Sequence, residues 1–227
     1  MSEVLSQLIQ ENTLLLGIWE TIYMTVLSTL IAYGIGLPLG VVLWVTDESG
    51  VHPIKWLNAT LGFIINIFRS IPFIILMVAF LPVSKALVNA AYGNAAMIVM
   101  LVIAAAPYVA RMVESSFKEL DGGVLEAAKS MGANTFQIIF KVLLPESKPS
   151  LIIGAVISTV TILGYSAMAG TIGAGGLGKI AISFGYQRYN DDVVWVCVLL
   201  TVIIVQLIQL FGSYIAKKTD KRIATKK

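Results

Sequence analysis

Four stretches of this chain run for 24 to 30 residues without a charged side chain: Thr21 to Thr46, Ala86 to Ala110, Pro149 to Gly178 and Val193 to Ala216. Nothing else in the sequence limits the fold as strongly. A bilayer core about 30 Å thick takes about 20 apolar residues in a helix, so each run is long enough to span it. A fifth stretch, Trp56 to Ser84, is apolar throughout except for Arg69. Split at Arg69 it gives runs of 13 and 15 residues, each too short to cross and each leaving backbone groups unsatisfied in lipid. It therefore counts as one span that contains a charge. Strands of an outer-membrane barrel are about 10 residues long with alternating polarity, and these runs are neither. The expected fold is all-α, a polytopic membrane protein of five transmembrane helices.

Composition agrees. Hydrophobic residues make up 57% and charged residues 13%, against about 25% charged in soluble domains. That balance excludes a disordered chain, a coiled coil and a secreted disulfide scaffold. A net charge of +3 is too small to gather the phosphates of a nucleic acid. The single cysteine, Cys197, lies in an apolar run and has no internal partner for a disulfide.

Orientation follows from the placement of lysine and arginine. Only Glu3, Glu11 and Glu20 precede the first run, and the run is too long for a signal-peptide h-region. An acidic start fits an N-terminus outside the cytoplasm. The segments 47–55, 111–148 and 217–227 are then inside and carry 12 of the 16 basic residues, among them Lys221, Arg222, Lys226 and Lys227. The expected arrangement is N-terminus out and C-terminus in.

Several residues inside the spans stand out. Gly34, Gly36 and Gly40 offer a small-residue face on the first helix, and Gly36-x-x-x-Gly40 allows close helix contact, within the chain or between subunits. Pro38 is expected to kink that helix. Arg69 stands before Ser70 and Pro72, which should break the helix. It is read either as bonding the carbonyls freed at a kink or as contacting substrate or a gating partner. No acidic residue inside a span is available to pair with it.

The least apolar segment, Arg111 to Ser150, is far longer than a connection requires. Within it Leu125, Ala128, Met131, Gly132, Phe136, Ile139, Phe140 and Leu143 recur at three- and four-residue steps, one apolar stripe on a helical period. Gly132 interrupts it and points to a turn or to close approach by another chain. Pro145 is expected to end the pattern and return the chain to the membrane. The stripe alone fits an amphipathic helix on lipid headgroups or a docking helix for a partner protein.

Glu126-Ala127-Ala128, then Gly132, then Val142-x-Leu144-Pro145 is similar to the EAA loop of ABC-importer permeases, with valine where isoleucine is usual. Trp19-Glu20-Thr21, Asn66 to Leu76, Ala105 to Glu114, Gly164 to Gly178 and Gly185 to Tyr189 resemble strings of the methionine-importer permeases, in order and at matching intervals over about residues 17 to 210. This resemblance implies a type I ABC-importer permease fold. It places a permease domain at 17–210, an extracytoplasmic segment at 1–16 and a basic cytoplasmic tail at 211–227. It also implies coupling to a cytoplasmic ATPase through Glu126, Ala127, Ala128, Gly132, Leu144 and Pro145, where a short helix fits a cleft on the ATPase. The implied partners are a second copy of the chain, two ATPase subunits and an extracytoplasmic methionine-binding protein, in a bacterial inner membrane. ATP and magnesium belong to the ATPase, so the chain itself is expected to carry no cofactor, no metal and no enzymatic activity. The implied cargo is methionine, D- and L-, with another amino acid as the alternative. Candidates for the translocation path or gate are Arg69, Ser70, Pro72, Tyr165, Ser166 and Met168.

Rival readings find less support. Gly173-x-Gly175-x-x-Gly178 lacks the strand of a dinucleotide fold, and Gly178-Lys179 is followed by Ile180, which has no hydroxyl for magnesium. A tight turn after the fourth helix is expected instead. Ser166 has no histidine base, since the only histidine, His52, lies in the loop after the first helix. An ion-coupled secondary transporter should show inverted repeats or intramembrane carboxylates, and neither is visible.

Overall fold

The computed structural model describes residues 3–220. The basic residues Lys221, Arg222, Lys226 and Lys227 of the tail lie outside the described residues. Among the described residues twelve α-helices follow one another, with short π or 3-10 turns between some of them and no strand: α1 Glu3–Gln10, α2 Thr13–Thr46, α3 Lys55–Ser70, α4 Phe73–Ala79, α5 Leu81–Val88, α6 Asn94–Lys118, α7 Gly122–Ser130, α8 Thr135–Gln137, α9 Leu144–Glu146, α10 Lys148–Ala169, α11 Leu177–Ile180 and α12 Asp191–Thr219. Four segments (Thr13–Thr46, Asn94–Lys118, Lys148–Ile172 and Asp191–Thr219) are long and apolar enough to cross a membrane, and the bent pair α3–α4 makes a fifth if counted as one broken span. The boundaries 16/17 and 210/211 expected for the permease domain fall inside α2 and α12.

The chain forms two compact units. One comprises Met1–Ile31, Ile71–Ala105 and Thr159–Ile208; the other comprises Ala32–Ser70, Ala106–Ser158 and Gln209–Lys227. The first unit is centred on Leu5, Leu8, Leu14, Leu163, Leu177, Val193 and Cys197, all buried. Helix α1 was not anticipated. Leu5 and Leu8, three residues apart, share one helical face and are buried there while Gln7 and Gln10 stay exposed.

In the second unit Leu43, Ile65 and Ala110 form a buried cluster from α2, α3 and α6, and Trp44 meets Phe117 edge-on at 6.1 Å. A Cβ at Gly36 would lie 2.7 Å from Val109, and one at Gly40 would lie 2.7 Å from Val113 and the Ala110 carbonyl. This pair lets α2 and α6 approach within the chain. Gly34 does not share that face and has nothing within 4 Å of its Cβ position: residues two apart on a helix point in different directions. Helix α2 continues through Pro38 to Thr46.

The stretch Trp56 to Ser84 breaks where Ser70 and Pro72 were expected to break it: α3 ends at Ser70 and α4 begins at Phe73, and the bent pair counted together is the fifth span. Pro72 cannot donate a backbone hydrogen bond and disfavours helical geometry at Ile71. It starts α4 at φ −54° and ψ 135°, and Ser70 Oγ donates to the Asn66 carbonyl in the last turn of α3. One expectation fails: Pro145 does not end its helical pattern. Thr135 to Glu146 is helical throughout, passing through a wide π turn at Ile138–Leu143, and α10 begins two residues later. Pro145 follows the π turn directly, inside a continuous helical run, so its missing N–H leaves a carbonyl of the preceding turn without a helical donor.

Acidic residues also lie inside the long helices. Glu20 is on α2 and Glu114 on α6, although neither fell in a charge-free run. Each is compensated by donors distant in sequence or on its own helix, as described below.

Candidate functional site

Helix α7 carries Glu126, Ala127 and Ala128 of the loop sequence. It starts at Asp121, whose carboxylate accepts from the Gly123 amide at 2.9 Å, an N-cap that satisfies one orphan donor. Ala128 faces inward at 2% exposure, while Glu126 and Ala127 are exposed. The chain then turns at Gly132 with φ +74°. Asn134 closes a capping box for α8: its side chain accepts from the Gln137 amide at 2.9 Å, and the Gln137 side chain accepts from the Asn134 amide at 3.0 Å. The loop is thus two helices set by a glycine turn and a double cap.

The apolar stripe expected on one helix is divided by this turn. Ala128 and Leu143 are buried together with Ile138, which lay off the stripe. Met131, Phe136 and Phe140 are exposed by 81%, 68% and 53%, with the two phenylalanine rings 4.4 Å apart. These are large apolar side chains left in the open outside the apolar runs. Leu144 and Pro145 are half-buried.

Polar contacts tie the loop to its own unit. Lys129 Nζ donates to the Gly50 carbonyl at 3.4 Å, and Lys118 Nζ pairs with Asp47 Oδ2 at 3.0 Å and Glu114 Oε1 at 2.8 Å. Glu114, 4% exposed, also takes Arg111 Nη1 at 2.6 Å. The other guanidinium nitrogen of Arg111 reaches the Gly62 carbonyl at 3.2 Å and Asn66 Oδ1 at 3.4 Å. Burial pushes the Asp47 carboxyl up, but hydrogen bonds from Ser49 and Lys118 outweigh it and hold it below the usual carboxylate value.

The remaining candidates fall in both units. Arg69 and Ser70 are exposed at the end of α3. Arg69 lines a cleft of about 370 Å³ with Tyr108, Arg111, Glu114, Ser115 and Lys118, and no bond from it to a freed carbonyl is found among the described residues. In the first unit Tyr165 stacks on Phe73 at 4.6 Å, beside the break that Pro72 creates. Ser166 is 2% exposed and donates its hydroxyl to the Leu163 carbonyl at 2.8 Å, which commits it to its own helix. Met168 is exposed.

The glycine-rich segment forms the turn after α10, held by residues that sequence reasoning passed over. Glu20 Oε1 accepts from Asn94 Nδ2 at 2.8 Å and Oε2 from the Gly176 amide at 2.7 Å. Asn94 Oδ1 accepts from the Gly175 amide at 2.7 Å, and Thr21 Oγ1 accepts from the Leu177 amide at 2.9 Å. Every backbone donor from Gly175 to Leu177 is thereby engaged by a side chain, leaving none for a nucleotide phosphate. The signal that pointed here was an acidic residue at the edge of an apolar run; Asn94 gave none.

A family model described as binding-protein-dependent transport system inner membrane component matches residues 32–225. The chain is 44% identical over 214 residues to the probable D-methionine transport system permease protein MetI of Vibrio cholerae, covering 94% of this chain and 95% of that protein. It is 47% identical over 204 residues to the methionine import system permease protein MetP of Bacillus subtilis, covering 90% and 92%. Among solved structures, a chain of the MetNI methionine ABC transporter in inward-facing conformations matches with a TM-score of 0.91 at 44% identity, over 97% of this chain and all of that one. A chain of an amino acid ABC transporter matches at 0.79 with 18% identity, over 96% of this chain and 99% of that one, a likeness of fold alone.

Proposed function

This chain belongs to the binding-protein-dependent transport system inner membrane components, and from that premise we propose that it imports methionine as the permease subunit of an ATP-driven transporter. Its relatives at 44% and 47% identity are named for methionine, and those names support the cargo. The subunit works as a pair, with two ATPase subunits on the cytoplasmic side and a binding protein delivering substrate from outside. ATP and magnesium are held by the ATPase subunits, and hydrolysis is theirs. The placement of 12 of 16 basic residues supports an outer N-terminus and a cytoplasmic loop 111–148 in a bacterial inner membrane. The permease domain is taken as residues 17–210.

The observation that carries the coupling role is the exposure of Glu126, Met131, Phe136 and Phe140 together on a loop fixed by two caps. Transmission of a closing motion needs a rigid element, because a flexible one absorbs the displacement. Glu126, Ala127 and Gly132 face or shape the docking side, while Ala128, Leu144 and Pro145 hold the loop to the bundle. On alternating access, Arg69 and Ser70 at the end of α3, Pro72 at the start of α4, and Tyr165, Ser166 and Met168 near the end of α10 remain the candidates for the translocation path.

An ion-coupled carrier would need a carboxylate free to take its ion. Glu20 and Glu114 are the acidic residues within α2 and α6, and both have their oxygens committed to fixed donors. Purification in detergent should bring down a P-loop ATPase whose hydrolysis depends on this chain, and Glu126→Lys should abolish coupling between hydrolysis and methionine uptake. Normal ATPase capture together with normal uptake in that variant would sink the assignment of the loop. Uptake of a different amino acid in preference to methionine would overturn the cargo.

A further inference from the structure

The cleft at the end of α3 holds three cations, Arg69, Arg111 and Lys118, around the buried carboxylate of Glu114. Glu114 bridges Arg111 and Lys118, and Asp47 takes a second position on Lys118. Those two carboxylates balance those two cations. Arg69 is left with no ion pair or hydrogen bond among the described residues, at the end of an apolar helix where charge is costly to leave uncompensated. Beside it the Tyr108 and Ser115 side chains line the same cleft, and neither hydroxyl is engaged among the described residues. A planar guanidinium matches the two oxygens of a carboxylate or phosphate, and hydroxyls add donors to the same group. The volume of about 370 Å³ lies within the range of small-molecule clefts.

We propose that this cleft is an oxyanion site, with Arg69 as the primary ligand for a carboxylate or phosphate group and Tyr108 as a second donor. Arg111 is excluded from that role because Glu114, Gly62 and Asn66 already hold it; its part is to raise the local potential. Two sources carry the chemistry: the phosphate of an anionic phospholipid, and the carboxylate of an amino acid passing through the subunit. The site stands on its own geometry and does not require that methionine be the cargo.

The test uses the complex with its ATPase, placed in nanodiscs of phosphatidylcholine alone or of phosphatidylcholine with phosphatidylglycerol. Native mass spectrometry counts phosphatidylglycerol retained per complex, and equilibrium dialysis measures labelled methionine held in the phosphatidylcholine discs. Arg69→Gln should lower retention of one probe by about tenfold, the effect of losing a charge-assisted pair. Tyr108→Phe should lower the same probe by a few-fold. Lys85→Gln, far along the chain in α5, should leave both unchanged. Loss confined to phosphatidylglycerol identifies a lipid phosphate; loss confined to methionine identifies a carboxylate. If the parent complex holds neither probe, or if both variants hold both probes as the parent does, the site is refuted. Should Arg69→Gln fail to assemble, Tyr108→Phe decides alone, since it removes only an oxygen.

Discussion

Two glycines with positive φ serve this chain in opposite ways. Gly132, at φ +74°, turns α7 into α8 with nothing within 4 Å of the position its Cβ would take. Gly176, at φ +93°, lies where a Cβ would come 2.8 Å from Thr21 Oγ1 and 3.4 Å from Met24, with its amide held by Glu20. At the first position glycine is needed only for its backbone; at the second, for backbone and space together. The space around Gly132 belongs to a surface whose neighbours are Met131 and Phe136, both exposed. Open space around a costly turn is what a docking element presents, whereas filled space around one is what an internal joint presents.

The comparison breaks most readily at Gly176. Gly176→Leu adds overpacking of about 1–3 kcal/mol to a backbone cost of about 1–2 kcal/mol, and should show as a large fall in thermal midpoint and loss of monodisperse protein in detergent. A midpoint equal to the parent's would erase the distinction. Glu20→Ala leaves the Gly176 amide and the Asn94 amide unpaired at about 1–3 kcal/mol each. Hydrogen exchange over residues 173–178 should then quicken, and Glu20→Gln, which keeps one acceptor, should fall between. Gly132→Ala costs about 1–2 kcal/mol through backbone alone. It should weaken ATPase capture more than it lowers the thermal midpoint, and Gly132→Asn should recover much of the capture because asparagine tolerates the left-handed region. Asn134→Ala removes the capping box, about 1 kcal/mol, and should loosen α8 in hydrogen exchange without disturbing 173–178.

The smallest effect belongs to Asp47, whose pair with Lys118 is half-exposed and is worth at most about 1 kcal/mol. Its folded pKa is lowered, so its contribution is present above the unfolded value of about 3.9 and disappears as pH falls through the lower folded value. Asp47→Asn should flatten that part of a midpoint-against-pH curve and leave the neutral region nearly unchanged.

The spans were legible because burial in lipid forbids unpaired charge over some twenty residues, a rule that acts along the sequence. What it could not reveal was compensation from afar. Glu20 looked like the end of a span because its partner Asn94 is 74 residues away, and nothing in Asn94 announces the pairing. The loop between α6 and α10 was legible as a string and as a glycine interruption, but its inner and outer faces were not. Counting through Gly132 put Phe136 and Phe140 with Ala128, whereas the turn and the new cap at Asn134 send Ile138 inward instead. Pro72 was read correctly as a breaker, and the bent pair it creates is the fifth span. Helix α1 escaped because eight residues with two leucines carry too little pattern to stand against noise. Gly36 and Gly40 were legible as a contact pair, and the structure resolves the choice that spacing left open by placing Val109 and Val113 of the same chain against them.

The π turn at Ile138–Leu143 bears on how this segment can change over time. Such a turn holds one residue more than an α-turn, and one residue is about 100° of rotation about the helix axis. Side chains before it and after it therefore cannot be drawn on one helical wheel. Removing a single residue there would swing Phe136 and Ile138 away from their present directions relative to α10 and press the ring of Pro145 toward the preceding turn. In this short stretch the number of residues should therefore matter more than their identity, with single-residue insertions and deletions rarer among functional variants than substitutions of Ile139, Lys141 or Val142.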